Sequence, residues 1–136
     1  MSETAELFQA VLERLGDGDL AGCLELCSDD VEFEFPFAPP GRPERLRGRE
    51  NLRQYLEPLL ARTAYDEITS LVVYETDAAG TIVAEMTVRL RLLESGLTHS
   101  MRYVAVVRAE GGRVVSYRDY WNPLALNDRA GTAVAS

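Results

Sequence analysis

The sequence predicts an α+β fold in which helices and strands occupy separate parts of the chain. In the first 60 residues, apolar side chains recur three and four positions apart, as in amphipathic helices. From residue 67 onward, apolar and polar residues alternate in four successive runs separated by short turn sequences. Helices followed by a run of strands joined by short turns are typical of an α+β protein.

Three helices are predicted before the main run of strands. The first ends at the glycine-containing segment 16–18, and its apolar face comprises Phe8, Val11, Leu12 and Leu15. Asp19 is placed to cap a short second helix, whose apolar face comprises Leu20, Cys23, Leu24 and Cys27. A third helix starts near Gly48 and is expected to kink or split at Pro58. Its apolar residues are Leu52, Tyr55, Leu56, Leu59 and Leu60.

Five strands are predicted from period-two alternation. The first covers 31–37, with Val31, Phe33, Phe35 and Phe37 on one face. Pro36 indicates either an edge position or the end of strand pairing. The proline-rich segment 38–43 is expected to be a rigid loop. The later strands are predicted at 67–76, 80–93, 97–109 and 113–122.

The turns between the last three strands predict which side chains share a face. A two-residue turn at Ser95-Gly96 would pair Leu92 with His99, and a three-residue loop at 110–112 would pair Tyr103 with Asp119. Both pairings place an apolar set on one face. That face comprises Ala84, Met86, Val88, Leu90, Leu92, His99, Met101, Tyr103, Ala105, Val107, Val115, Tyr117, Asp119 and Trp121.

Length and charge limit the kinds of protein this chain can be. A single domain is expected over 1–126, with a frayed tail at 127–136. The net charge of −8 argues against a nucleic-acid partner. We find no signal peptide and no apolar run of the ~20 residues that a membrane span needs, so a soluble cytoplasmic protein is expected. Cys23 and Cys27 are interpreted as reduced core residues, and no metal-ligand spacing is recognisable.

Asp119 is the main candidate for chemistry, because it is the one carboxylate on the apolar face of the last three strands. Its neighbours on that face include Tyr117 and Trp121. A buried acid is expected to be protonated, to be paired with another group, or to have a functional role, since burying an unpaired charge is costly. It is either a proton donor or acceptor in a pocket, or a structural residue bonded to Tyr103 or to a backbone amide.

Other residues of the same face are candidates for supporting roles. Tyr103 and His99 are the further catalytic candidates, although His99 fits a solvated strand end equally well. The candidate substrate-binding residues would provide apolar and aromatic surface with a few polar edges. They are Tyr117, Trp121, Met101, Val88, Leu90, Met86, Phe35, Phe37 and Tyr55. No cofactor is predicted.

Two surface features are also notable. Five arginines follow the first strand, at positions 42, 45, 47, 49 and 53. They form either a solvated, acid-balanced run or a grip for a carboxylate or phosphate at a cavity mouth. The opposite face of the sheet mixes Val104, Val106 and Tyr120 with arginines. A homodimer through this outer face is expected, as the family resemblance described next implies.

Three segments resemble the nuclear transport factor 2-like superfamily, specifically its SnoaL-like branch. They are Gly18-Asp-Leu20, Phe35-Pro-Phe37 with Arg47-Gly-Arg49, and Tyr117-Arg-Asp-Tyr-Trp-Asn-Pro123. The resemblance covers residues 3–126. It implies a cone-shaped fold with a curved, mostly antiparallel sheet wrapped over about three helices and enclosing one cavity. The apolar face described above would then line that cavity.

The resemblance also implies what position 119 does. Limonene epoxide hydrolases, SnoaL-type polyketide cyclases and phenazine-biosynthesis A/B-type proteins all carry an acid at the matching place. We therefore expect a cofactor-free isomerase, cyclase or dehydratase acting on a small cyclic or polyketide-like metabolite. The alternative is a non-catalytic binding or accessory protein. Epoxide hydrolysis is disfavoured, because strand 80–93 lacks the Arg-x-Asp pair and offers Met86, Val88 and Leu90 instead.

Overall fold

The computed structural model describes residues 2–126, so the predicted tail at 127–136 lies outside the described residues. The helices are α1 (Glu3–Gly16), α2 (Leu20–Glu25) and α3 (Arg49–Arg62). The strands are β1 (Cys27–Glu34), β2 (Arg45–Arg47), β3 (Thr63–Glu75), β4 (Thr81–Leu92), β5 (Thr98–Glu110) and β6 (Arg113–Trp121). A short 3₁₀ helix follows at Pro123–Leu126.

The six strands form one curved, unclosed sheet in the order β2-β1-β6-β5-β4-β3. β1 and β6 are parallel, and every other neighbouring pair is antiparallel. The predicted α+β architecture, a mostly antiparallel sheet over three helices, is confirmed. β1 therefore lies inside the sheet, and Pro36 marks the end of its pairing rather than an edge.

The helices pack onto the inner face of the sheet. Ser2 caps α1 by accepting a hydrogen bond from the Ala5 amide, and Asp19 caps α2 by accepting one from the Gly22 amide. Phe8 and Val11 of α1 are almost fully buried against the apolar side chains of β4, β5 and β6. Cys23 and Cys27 are free and buried, as predicted. Cys27 does not belong to α2, however, because that helix ends at Glu25 and Cys27 begins β1.

Two expectations near the first strand and third helix are wrong. β1 ends at Glu34, so Phe37 does not share the inner face with Phe33 and Phe35. Residues 36 and 37 lie in a turn, and the Phe37 side chain is 57% exposed. Of the two effects expected of Pro58, the split does not occur, because α3 is continuous to Arg62. The missing amide removes only one helical hydrogen bond, while burial of the adjacent Leu59 side chain holds the helix against the core.

The predicted faces are largely correct, although the predicted strand pairings are displaced by two residues. Leu90, rather than Leu92, lies opposite His99. The chain between β4 and β5 covers residues 93–97 and is longer than the assumed two-residue turn. An even displacement leaves every side chain on the same face of the sheet, which explains why the assignment of faces survives.

The turn between β5 and β6 also differs from the prediction. Glu110 pairs with Arg113 across a two-residue Gly111-Gly112 turn, and the extra residue is a bulge further along β6. Val114 therefore faces the core with 1% exposure, whereas Val115 does not. After the bulge, the alternation agrees with the predicted faces, and Tyr117 and Trp121 are buried on the inner side.

Candidate functional site

The inner face of the sheet and the helices enclose a cavity of about 830 Å³. Its volume falls in the range of small-molecule sites. The base consists of β5 and β6, and β3, α1 and α3 contribute the sides. The wall is mainly apolar and aromatic; its central members are Val11, Phe33, Phe35, Tyr55, Leu56, Leu59, Tyr65, Leu71, Val88, Leu90, Met101, Tyr103, Tyr117, Asp119 and Trp121.

The local sheet structure leaves room beside Asp119. Its partner on β5 is Ala105, whose methyl side chain is fully buried and fills little volume. On the other side, pairing with β1 stops at Glu34, opposite Arg118. Asp119 thus faces the cavity at a point where one neighbouring side chain is small and the other strand has ended. The predicted pairing of Asp119 with Tyr103 is wrong, because Tyr103 lies opposite Trp121.

The Asp119 carboxyl group has an unusual environment. Its Oδ1 atom is buried without a hydrogen-bond partner, even though the side chain as a whole keeps some exposure toward the cavity. Burial raises the pKa of this carboxyl group from 3.8 to about 7. At neutral pH the protonated and ionised forms are both populated. The sequence left open a structural Asp119 whose carboxylate is bonded to Tyr103 or to a backbone amide. The Oδ1 atom has no such hydrogen bond.

Three tyrosines lie within electrostatic reach of Asp119. Burial raises the pKa of Tyr65 to about 12 and that of Tyr117 well above 10, and the neighbouring Asp119 charge adds to both effects. Burial also raises the pKa of Tyr55, against the lowering effect of Arg42. All three phenols are therefore neutral at physiological pH. They can donate hydrogen bonds to an oxygen of a bound molecule.

Aromatic packing fixes the wall around the carboxyl group. The Tyr117 ring stacks on Phe33, with centroids 4.6 Å apart and planes 4° from parallel. Phe35 contacts Tyr55 at 5.1 Å between ring centroids. Because β1 and β6 are parallel here, Phe33 and Tyr117 are register partners and their rings meet on the same face. A planar or cyclic apolar ligand would find flat surfaces on this wall.

The structure brings most of the predicted site residues together. Asp119 and Tyr103 line the cavity, as do seven of the predicted substrate-binding residues: Tyr117, Trp121, Met101, Val88, Leu90, Phe35 and Tyr55. Their roles stay predictions. Tyr65 also lines the cavity, but the sequence analysis missed it. The predicted start of the next strand at residue 67 left 63–66 outside any strand, so the alternation that would have identified Tyr65 was not followed.

Three predicted residues lie elsewhere. His99 sits on the inner face opposite Leu90, but it is not part of the cavity wall. Met86 is buried opposite Tyr103 and also lies outside that wall. Phe37 packs edge-on against Tyr120, with ring centroids 5.4 Å apart, on the outer side of the sheet. The turn at Pro36 interrupts the alternation and sends Phe37 away from the cavity.

The arginine cluster divides into two groups. Arg45 and Arg47 pair with Glu34 and Glu32 across the β1–β2 ladder. Arg49 donates to the Cys27 carbonyl oxygen and pairs with Asp29. Arg53 pairs with Glu50 and Glu57. These four fit the solvated, acid-balanced interpretation. Arg42 differs, because its guanidinium lies 5.7 Å from the ring centroid of Trp121 at the cavity.

Neither a metal-binding cluster nor a membrane-spanning helix is found among residues 2–126. No set of three or more His, Cys, Asp or Glu side chains there is grouped so that it could hold a metal ion. No helix in this part of the chain is both long and apolar enough to cross a bilayer.

Comparison with known proteins identifies the family. Residues 8–117 match the model of the SnoaL-like domain. The chain is also 33% identical over 130 residues to YesE of Bacillus subtilis, covering 95% of this chain and 86% of the relative. The protein therefore belongs to the SnoaL-like domain family, within the nuclear transport factor 2-like fold.

Solved structures agree with this assignment. A Bacillus subtilis protein provisionally described as an isomerase superposes with a TM-score of 0.90 at 29% identity, covering 99% of this chain and 100% of that chain. A Xanthomonas campestris protein provisionally described as a polyketide cyclase superposes with a TM-score of 0.77 at 20% identity, covering 90% and 93%. The second similarity shows the shared fold alone.

Proposed function

We propose that this protein is a cofactor-independent acid/base enzyme that isomerises, cyclises or dehydrates a small cyclic or polyketide-like metabolite. Asp119 is the proton donor and acceptor. The observation that carries the proposal is the buried Oδ1 atom of Asp119, which has no hydrogen-bond partner and lies in the wall of a large aromatic cavity. A buried polar atom without a partner is costly to the fold and is characteristic of functional sites.

The electrostatics of the site suit proton transfer. A general acid/base works best when its pKa is near the working pH, and burial brings the pKa of Asp119 to about 7. The ionised carboxylate would remove a proton from carbon next to a carbonyl group, and the resulting acid would return it at another position. Tyr65 and Tyr55 line the same cavity, and in the proposed mechanism their phenol groups donate hydrogen bonds to the developing enolate oxygen.

The family comparisons support the same class of chemistry. The Bacillus subtilis structure described provisionally as an isomerase shares 29% identity with this chain over nearly its full length. Epoxide hydrolysis receives no such support, because the β4 side chains facing inward beside the site are the buried Val88 and Leu90 rather than an Arg-Asp pair.

The first test needs no knowledge of the natural substrate. A panel of cyclic ketones and 1,3-diketones is incubated with the protein in D₂O, and exchange of the α protons is followed by ¹H NMR. We expect catalysed exchange for at least one member, reduced about 100-fold or more in Asp119→Asn. Asp77→Asn, in the exposed turn after β3, serves as the matched control and should exchange like the parent.

The competing function is ligand binding without turnover, which the mainly apolar wall of the cavity also fits. Under that alternative, members of the panel bind but no α proton exchanges faster than in buffer. Equal exchange in the parent and in Asp119→Asn would remove Asp119 from the mechanism. Loss of exchange with retained ligand binding in Asp119→Asn is the result that the acid/base proposal requires.

A further inference from the structure

Arg42 is the one member of the arginine cluster that the structure places against the aromatic wall. Its guanidinium lies over Trp121, 5.7 Å from the ring centroid, which is within the range of a cation–π contact. It also forms a side-chain hydrogen bond with Tyr55, which lowers the pKa of that phenol against the larger raising effect of burial. Both aromatic partners line the cavity.

The loop that carries Arg42 is suited to holding a charge in a fixed place. Prolines at positions 39, 40 and 43 restrict the backbone, and the Arg42 amide donates to the Pro39 carbonyl oxygen at 3.2 Å to close a turn. The side chain is therefore delivered from a stiff segment onto Trp121 and Tyr55. A positioned guanidinium loses little freedom when it binds a ligand.

The charges around the cavity are unevenly distributed. Glu13 and Asp17 of the α1 end contribute to its rim, as do Asp66 and Glu67 of β3. The last two are paired with Arg91 and Arg89 on the neighbouring strand β4. Arg42 acts at Trp121 and Tyr55, and its charge also lowers the pKa of Tyr65 against the larger raising effect of burial. An anionic group in the cavity is repelled by Glu13 and Asp17 and attracted to Arg42.

We propose that Arg42 binds a carboxylate group of the substrate, so that the natural substrate is a cyclic or polyketide-like carboxylic acid. This inference rests on the proposed function and names its substrate class. A guanidinium binds a carboxylate through two parallel N–H···O hydrogen bonds. The apolar body of the substrate then packs along Trp121 and Tyr55, and its reacting carbon is directed toward Asp119. Binding of the remote carboxylate thus holds the reacting carbon in a fixed orientation relative to Asp119, which favours proton transfer.

The test compares two probes of nearly the same shape, one anionic and one neutral. Adamantane-1-carboxylate and adamantane-1-carboxamide are titrated into the full-length protein by isothermal calorimetry at pH 7.5. We expect the carboxylate to bind at least tenfold more tightly than the amide. In Arg42→Gln this preference should disappear, and in Arg42→Lys it should be partly retained, since lysine keeps the charge but not the two-pronged geometry.

Arg45→Gln is the matched control, because Arg45 is exposed on the neighbouring strand and pairs with Glu34. It should keep the full preference for the carboxylate. Equal affinity for the two probes, no measurable binding of the carboxylate at millimolar concentration, or an unchanged preference in Arg42→Gln would each overturn the inference. Thermal melting of each variant verifies that it is folded.

The same titration in Asp119→Asn separates this inference from the proposed function. If Arg42 binds the carboxylate, the preference persists in that variant, because the binding group and the proton-transfer group are different. A protein that prefers the carboxylate but catalyses no α-proton exchange would retain the Arg42 site and lose the enzymatic proposal. Catalysed exchange without any preference for the carboxylate would retain the enzymatic proposal and overturn the Arg42 site.

Discussion

At the scale of single residues, the Asp119 carboxyl group dominates the electrostatics of the cavity. Its pKa is about 7 in the folded protein and near 3.8 when exposed, because burial penalises the charged form. The folded state thus holds a proton that the unfolded state releases as the pH rises through 4. Stability from this group is complete below about pH 4 and falls as the pH approaches 7. Asp119→Asn removes that dependence, and urea unfolding of both proteins between pH 4 and 8 measures it.

Sequence reasoning identified Asp119 but could not resolve all of its neighbours. Strict alternation among Val, Tyr and Trp in 115–121 revealed the acid, because period two is independent of the exact pairing. Tyr65 was missed because the strand was predicted to start at residue 67, whereas β3 starts at Thr63 and has register irregularities at 65–67 and 68–70. Five arginines close together in the sequence gave no indication that Arg42 alone would meet Trp121.

At the scale of elements, turns and bulges decide where the strands meet, and these were the hardest features to predict. The β3–β4 turn, which ends at Gly80, shows how tightly neighbouring elements constrain a turn residue. Gly80 has a φ of 65°, and its carbonyl oxygen accepts hydrogen bonds from the Thr4 hydroxyl of α1 and the Ala109 amide of β5. A β-carbon at this position would lie 2.5 Å from the Ala109 carbonyl oxygen. The turn thus joins α1 to the sheet.

Gly80→Ala should destabilise the protein more than Gly96→Ala. Both glycines have positive φ angles, so both substitutions incur the left-handed penalty of about 1–2 kcal/mol. A β-carbon added at Gly96 would meet open space, whereas one added at Gly80 would also clash with backbone. Urea unfolding of both variants measures the difference, and we expect at least about 1 kcal/mol more loss for Gly80→Ala. Equal losses would show that the Ala109 contact relaxes freely.

At the scale of the whole molecule, the outer face of the sheet is the surface expected to meet a second copy of the chain. Phe37, Val72 and Val104 are 57%, 46% and 36% exposed there, next to Tyr120. Arg89 on this face lies opposite Ser100 and pairs with Glu67, so it meets an acid rather than another arginine. The homodimer through this face stays a prediction.

Sedimentation equilibrium tests that assembly. The parent protein should have the mass of two chains, and Val104→Asp should have the mass of one, because a carboxylate would be buried without a partner. Leu97→Asp, at an exposed position in the β4–β5 turn, is the control and should stay dimeric. A monomeric parent, or a dimer that survives Val104→Asp, would contradict the use of this face.

The proposed function depends on Asp119 being a buried acid that faces the cavity. Measuring the pKa of its carboxyl group tests that condition directly. The carboxyl ¹³C shift of Asp119 is followed by NMR from pH 3 to 9 in protein labelled at aspartate, with Asp119→Asn identifying the resonance. We expect a midpoint near pH 7, because the carboxyl group is buried and its Oδ1 atom has no hydrogen-bond partner. A midpoint near pH 4 would mean that the carboxyl group is solvated or hydrogen-bonded, and would contradict its role as a proton donor and acceptor.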